Sequence, residues 1–374
     1  MKFSVSSKVM LAHLSAVSKV VSTKSNIAIL SNFLFVVKDG KLIVTGTDKE
    51  STIVANVPVE DVEGELSFAI SVKKLLDLFK EMPEQGVTFE VDENTFETSI
   101  RCLNGEFKFA GLDGAEFPER EAHEEELFSM TIPASEIPRS LDKTIFAAGT
   151  DPMRPVMMGI LWDIKEDSIV FVSSDTHKLA RYINKSVKPN IQGSFILPVK
   201  IAAVLTSILE KQEQDVVVSF DSKSVMFEAG DYLLECRFIN GKYPNYNAVI
   251  PQNNPYEITV DKNALLNVVK RVSIFATDGG LIQMNISNNQ LLLKATDPEM
   301  LSNAEERLAC EYQGEDLSIG FHKDRLIEVL NSFNVDNIII KISDPARPGL
   351  FLPVEQKEDE DWVVLVMPMM IPNV

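Results

Sequence analysis

One pattern recurs three times along these 374 residues, and internal repetition limits the possible architectures more tightly than any local motif. An apolar run ends in Thr-Asp or Ser-Asp at 42–48, 169–175 and 291–297, so that Asp48, Asp175 and Asp297 stand 127 and then 122 residues apart. The turns ahead of these runs, Asp39-Gly40, Glu166-Asp167 and Asn288-Asn289, keep the same spacing, and pairs of this kind close β-hairpins. Further upstream, Met10 and Leu14 correspond to Ile137 and Leu141, then to Leu265 and Val269, an i, i+4 spacing that puts each pair on one buried helical stripe. Downstream, the runs starting at Val72, Val199 and His322 read as second amphipathic helices with a lysine in second place: Lys73, Lys200 and Lys323. Short β-branched runs such as Val216–Phe220 and Ile338–Ile342 favour strands. A period near 120 residues is too long for a solenoid unit and normal for a domain. The expectation is therefore an α+β chain of three similar domains, at 1–126, 127–254 and 255–374. Their boundaries fall at the polar stretches Pro118–Glu126 and Pro251–Pro255, where apolar periodicity lapses.

Composition excludes several classes. At 45% hydrophobic and 24% charged residues the chain is ordinary for a globular protein, and no apolar run approaches the length of about 20 residues that spans a bilayer. The opening Met1-Lys-Phe-Ser-Val enters the first repeat directly and leaves no room for a signal peptide, so a cytoplasmic protein with no membrane partner is expected. Cys102, Cys236 and Cys310 are odd in number and far apart, which points to reduced, buried thiols rather than a disulfide framework or a zinc site. No phosphate-binding loop, nucleophile elbow or His-Glu-x-x-His motif is present, and no cofactor is implied. Asp175-Thr-His177 has the composition of an acid/base couple or a ligand pair. The equivalent Asp48 and Asp297 have no such histidine, so a turn-capping aspartate is the expected role.

A net charge of −19 argues against a conventional nucleic-acid binder, which needs a basic footprint. The distribution is uneven, however. Acids crowd into loops such as Glu124–Glu126 and Glu355–Asp361, whereas Lys19, Lys24, Lys73, Lys74, Lys80, Arg139, Lys143, Lys200, Lys211, Lys270, Arg271, Lys323 and Arg325 lie on or beside the repeat helices. Each taken singly reads as a solvated helix face. Copies arranged about an axis would gather them into one ring.

Several segments carry a resemblance. The three-copy layout, Thr45-Gly-Thr-Asp48, the run Phe238-Ile-Asn-Gly-Lys-Tyr-Pro-Asn-Tyr-Asn-Ala-Val-Ile-Pro251 and the terminal Val363-Val-Leu-Val-Met-Pro-Met-Met-Ile371 closely resemble the bacterial replicative sliding clamps, the beta subunits of DNA polymerase III. The resemblance implies a DNA-clamp fold: a ring-shaped head-to-tail homodimer with helices lining the hole and antiparallel sheets outside. Such a ring holds duplex DNA by topology, so sparse basic residues suffice and the charge paradox resolves. It confers processivity on the replicative polymerase without catalysing anything itself.

By position, the resemblance assigns Lys24, Lys73, Lys74 and Lys200, with the loop around Asp151, to the DNA-facing side. It assigns Phe107 and Phe109 with Ile274 and Phe275 to the dimer interface. It further implies a hydrophobic groove for partner peptides, lined by Met157, Ser174, Thr176, His177, Lys178, Leu179, Pro244, Ala248, Val249, Leu365, Met367, Pro368, Met369 and Met370. The implied partners are double-stranded DNA, the polymerase catalytic subunit, the clamp loader, and other polymerases and mismatch-repair proteins. Ala248 and the ending Met370–Val374 depart from the family pattern and shift the implied peptide preference toward apolar side chains. Two other classes remain open on the residues alone: an enzyme using Asp175 and His177, and a scaffold that binds peptides but never encircles DNA.

Overall fold

The computed structural model describes residues 1–22, 27–120, 127–210 and 212–372. The chain forms two compact units, one of Met1–Pro138 with Ala203–Phe238, the other of Arg139–Ala202 with Ile239–Val374. The thirds expected from the repeat are thus not the compact units. The strands of the central third are shared out, because backbone hydrogen bonding continues from one repeat into the next.

In the first unit, a five-stranded sheet runs in the order Glu60–Glu63, Lys2–Ser6, Gly86–Val91, Thr98–Cys102, Gly105–Phe109. A nine-stranded sheet begins Leu112–Asp113, Leu66–Ser71, Asn32–Lys38, Lys41–Thr47, Ser51–Val57 and is completed by four strands of the central third, Tyr232–Arg237, Ser224–Ala229, Val216–Phe220 and Phe128–Ile132. The junction is antiparallel, with Leu234 opposite Ile53 and Glu235 opposite Thr52. The second unit repeats the scheme. Gly193–Pro198, Gly159–Ile164, Ile169–Ser174 and Lys178–Asn184 join Glu360–Val366, Gly349–Pro353, Asn337–Ile342, Tyr256–Asp261 and Glu311–Tyr312 in another nine-stranded sheet. There Ala180 lies opposite Val364 and Leu179 opposite Leu365. A four-stranded sheet, Ser302–Ala309, Gln290–Asp297, Leu281–Ser287 and Leu317–His322, completes the unit.

The helices fall where the periodicity placed them. Ser7–Val17 buries Met10 and Leu14, Glu136–Asp142 buries Ile137 and Leu141, and Lys262–Ser273 buries Leu265 and Val269. The second helices are Val72–Glu81, Val199–Leu209 and Lys323–Ser332. His322, expected inside the last of these, is its cap instead, its ring accepting from the Asp324 N–H. Helix Ser7–Val17 packs with Val72–Glu81, and Lys262–Ser273 with Lys323–Ser332. Aromatic stacks fill the cores beneath: Phe3 on Phe89 and Phe35 on Phe68 in the first unit, Trp162 on Phe195 and Phe333 against Trp362 in the second. Of the three cysteines, all free, only Cys236 is buried; Cys102 and Cys310 are partly exposed at strand ends, which corrects the expectation of three buried thiols.

Candidate functional site

The repeated aspartates are the local devices that shape the site. Asp48 Oδ1 accepts from the N–H groups of Glu50 and Ser51, Asp175 Oδ1 from those of His177 and Lys178, and Asp297 Oδ1 from those of Glu299 and Met300. A short carboxylate folding back on its own backbone turns the chain tightly after each marker strand. Lys49 and Thr176, next in sequence, take φ of 77° and 78°. Pro298 cannot adopt that conformation, and in the third copy the left-handed residue is Leu301. Asp175 is thus spent on its turn, and its second oxygen receives the Lys178 ammonium at 2.8 Å. No imidazole contact makes it an acid/base couple with His177.

That turn opens beside an apolar cluster in the second unit. Val170 and Val172, Leu179, and Val363 and Leu365 project from three adjacent strands onto one sheet face, where Leu161 and Ile196 join them. The run 239–250 packs on this face through Ile239, Tyr243, Tyr246 and Ile250, and Val156, Met157 and Met367 are packed against it half-buried. Tyr246 donates to Asp163 Oδ2 at 2.8 Å; burial first, and then that carboxylate, push its phenol up to about 12, so the hydroxyl stays a donor. The C-terminal tail is pinned at two points. Met367 N–H donates to the His177 carbonyl at 2.8 Å, and Met369 N–H to the Gly320 carbonyl at 2.8 Å. A Cβ on Gly320 would stand 2.7 Å from the Met369 carbonyl oxygen and 2.7 Å from Leu281, so the tail's approach requires glycine there.

Most residues assigned to the peptide groove come together here. Met157, Leu179, Leu365 and Met367 belong to the cluster, Ser174 lies on the Val170–Val172 face, Thr176 and His177 form the exposed turn, and Met369 bridges to Gly320. Pro244, Ala248 and Val249 are exposed on the run that packs over the cluster, and Pro368 is half-buried between the two pinned methionines. Met370 is 93% exposed. Lys178 is the exception. Strand alternation turns it to the opposite face from Leu179, where its buried ammonium binds Asp175 at 2.8 Å and Glu328 at 2.7 Å. Its role is to brace the turn, not to line the groove. Arg154 was missed by sequence reasoning: its guanidinium donates to Thr176 Oγ1 at 3.0 Å, beside Met153, which is 87% exposed. Neither carries a motif.

The other assigned residues sit at edges and faces. Phe107, 38% exposed, and the half-buried Phe109 lie on Gly105–Phe109, the open edge of the five-stranded sheet. Ile274, 77% exposed, caps helix Lys262–Ser273, and Phe275 follows it. Lys73, Lys74 and Lys200 are exposed on the second helices, whereas Lys24 lies outside the described residues. Among the described residues no group of His, Cys, Asp and Glu could hold a metal ion, and no helix is long and apolar enough to cross a membrane.

Three family models of the DNA polymerase III beta subunit match the chain in succession, the N-terminal domain at residues 1–121, the central domain at 131–245 and the C-terminal domain at 247–370. The chain belongs to this family of non-catalytic sliding clamps and has its three-domain fold. It is 26% identical to the beta sliding clamp of Bacillus subtilis, over 99% of both chains. It also matches, at 26% identity and a TM-score of 0.93, a crystal structure of the Pseudomonas aeruginosa sliding clamp bound to griselimycin, covering 99% of this chain and all of that one. The Thermotoga maritima beta subunit, at 23% identity and a TM-score of 0.91 over 99% of this chain and 100% of that one, shares the fold.

Proposed function

We propose that the protein is a homodimeric ring that encircles duplex DNA and tethers a replicative polymerase to it. The observation that carries this reading is the match between two open sheet edges. One nine-stranded sheet joins five strands of the first repeat to four of the second, the other joins four strands of the second to five of the third, and one five-stranded and one four-stranded sheet are left over. Two of the terminal strands of these left-over sheets are Gly105–Phe109 and Ser302–Ala309. They are the repeat equivalents of the strands that pair at both internal junctions, and exposed edges of this kind invite pairing. Head-to-tail pairing of two copies at these edges closes a ring.

The internal junctions also supply the register. Ile53 faces Leu234 and Ala180 faces Val364; following the ladders, their equivalents are Ala304 and Phe107. Phe107 of one copy then faces Ala304 of the other, and Phe109 faces Ser302. Burial of Phe107, Phe109, Ile274 and Phe275 across this contact accounts for their exposure in the single chain.

Within the ring, Lys73, Lys74 and Lys200, with Lys24, approach the DNA backbone. Sparse cations acting through water leave the duplex free to slide. The cluster around Leu179, Leu365 and Met367 receives extended peptides from the polymerase, the clamp loader and repair proteins. Half-buried methionines suit a surface that accepts several sequences. The domains proposed for this assembly are 1–126, 127–254 and 255–374, in the cytoplasm.

The test is retention on nicked circular DNA after loading by the cognate loader with ATP. Retention in high salt on the intact circle, lost on cutting it, is the expected result. Release governed by salt alone and indifferent to cutting refutes the ring and leaves the scaffold reading.

A further inference from the structure

The thirteen methionines are unevenly placed. Met10, Met130, Met226 and Met284 are buried, and of the nine with accessible side chains six stand on two short segments, Met153, Met157 and Met158 on one and Met367, Met369 and Met370 on the other. Both segments border the apolar cluster of the second unit, and one methionine from each, Met157 and Met367, packs on it directly. Met1, Met82 and Met300 are scattered elsewhere.

Their surroundings make two kinds of thioether. Met153 and Met370 project almost wholly into solvent. Met157 and Met367 are half-buried, so a small molecule reaches the sulfur while the side chain still forms part of the apolar surface. Met367 is held in place, because its N–H is bonded to the His177 carbonyl and that of Met369 to the Gly320 carbonyl. Strand alternation keeps its side chain on the same face as Val363 and Leu365. A thioether is apolar and polarizable, whereas a sulfoxide carries a strong dipole that calls for a hydrogen-bond donor. Leu179, Val363 and Leu365 have none to give, and the Tyr246 hydroxyl is already donated to Asp163.

We infer that Met157 and Met367 form an oxidation site that closes the groove: a peroxide converts them to sulfoxides, and peptide docking is lost until they are reduced. The peroxide O–O bond breaks as an S–O bond forms, the sulfur gives up two electrons, and water leaves. A dithiol reverses the step through a methionine sulfoxide reductase, removing the oxygen as water and becoming a disulfide. The inference rests on the apolar-groove reading proposed above and supplies its regulation. Met153 and Met370, outside the cluster, are oxidised without closing it.

Fluorescence anisotropy tests it, with a labelled Leu/Phe peptide free of Met and Cys and the full-length protein before and after hydrogen peroxide, which catalase then removes; peptide mapping locates the sulfoxides. Affinity is expected to fall roughly tenfold or more once Met157 and Met367 are oxidised. It should recover with reductase and dithiothreitol but not with dithiothreitol alone, which reduces only oxidised cysteines. For Met157→Leu with Met367→Leu the readout is the ratio of affinities across the treatment, which should stay close to one; for Met153→Leu with Met370→Leu the loss should persist. Recovery by reductase decides the point independently of any variant. Undiminished affinity with Met157 and Met367 oxidised, no sulfoxide at either while Met370 is oxidised, a loss that reductase does not reverse, or one that survives the Met157 and Met367 leucine pair overturns the inference and leaves the groove standing. No binding before oxidation refutes the groove reading itself, and the inference with it.

Discussion

A partly buried cluster of charges ties separate segments of the second unit together. Glu360 accepts hydrogen bonds from Arg139 at 2.6 Å, Lys143 at 3.0 Å and Tyr182 at 3.0 Å, and the Lys143 ammonium lies 4.7 Å and 4.8 Å from the Tyr182 and Trp362 ring centres. Burial alone would raise the Glu360 carboxyl, but the bonds from Lys143 and Arg139 outweigh it and bring it down to about 2. A depressed carboxylate contributes stability above its unfolded-state pKa and loses it as pH falls toward the folded value. Acid titration of the melting temperature should therefore show a loss between roughly pH 4 and pH 2, and Glu360→Gln should abolish that component. Because the substitution leaves two cations without their carboxylate, it should also cost about 3 kcal/mol at neutral pH in denaturant unfolding. At the groove, Met367→Glu places a charge on the apolar cluster. Peptide affinity should fall at least tenfold, about 1.4 kcal/mol or more, while unfolding stays cooperative.

Among the elements, the tail after Glu360–Val366 is held by backbone contacts that a single atom would break. Gly320→Ala should displace Met369 from its bridge, cost about 1 to 3 kcal/mol by overpacking, and raise hydrogen exchange at the Met369 amide. Unchanged protection there would mean that the tail tolerates the methyl group. The hairpins preceding the marker strands show how far local signals reach. Asp39-Gly40 and Asn288-Asn289 both adopt positive φ, as the sequence pairs demand, whereas Glu166-Asp167 closes its hairpin without it, through a Lys165 to Ser168 backbone bond. The terminal strand is buried on both faces, because Val363 and Leu365 meet the apolar cluster while Trp362 packs on Phe333.

On the scale of the whole molecule, the open edges make the sharpest prediction. Phe107→Cys in one copy and Ala304→Cys in another, with Cys102 and Cys310 changed to serine, should cross-link on oxidation. Leu103→Cys should not cross-link with Ala304→Cys, because it is displaced along the strand. In the same register Glu106 faces Glu305, each already paired within its own copy, with Arg101 at 3.0 Å and Lys294 at 3.3 Å. Lys108 and Arg307 lie diagonally across, close enough for contact between copies. Replacing Lys73, Lys74 and Lys200 together by alanine should speed one-dimensional diffusion or loss from linear DNA while leaving retention on closed circles intact, since topology and not charge holds the duplex.

The repeat, the helix stripes, the capping aspartates and the absence of catalytic motifs were all legible in the sequence, because each is set by spacing along the chain. The proposed groove rests on resemblance, since its residues come from four separated segments and nothing in their spacing brings them together. The tertiary structure alone decided which face of a strand each side chain takes, and so moved Lys178 from the groove to its brace. It alone showed that the thirds of the sequence are joined by continuous sheets. Hydrogen bonding across a sheet is indifferent to distance along the chain, and the proposed pairing of Gly105–Phe109 with Ser302–Ala309 of a second copy relies on the same indifference.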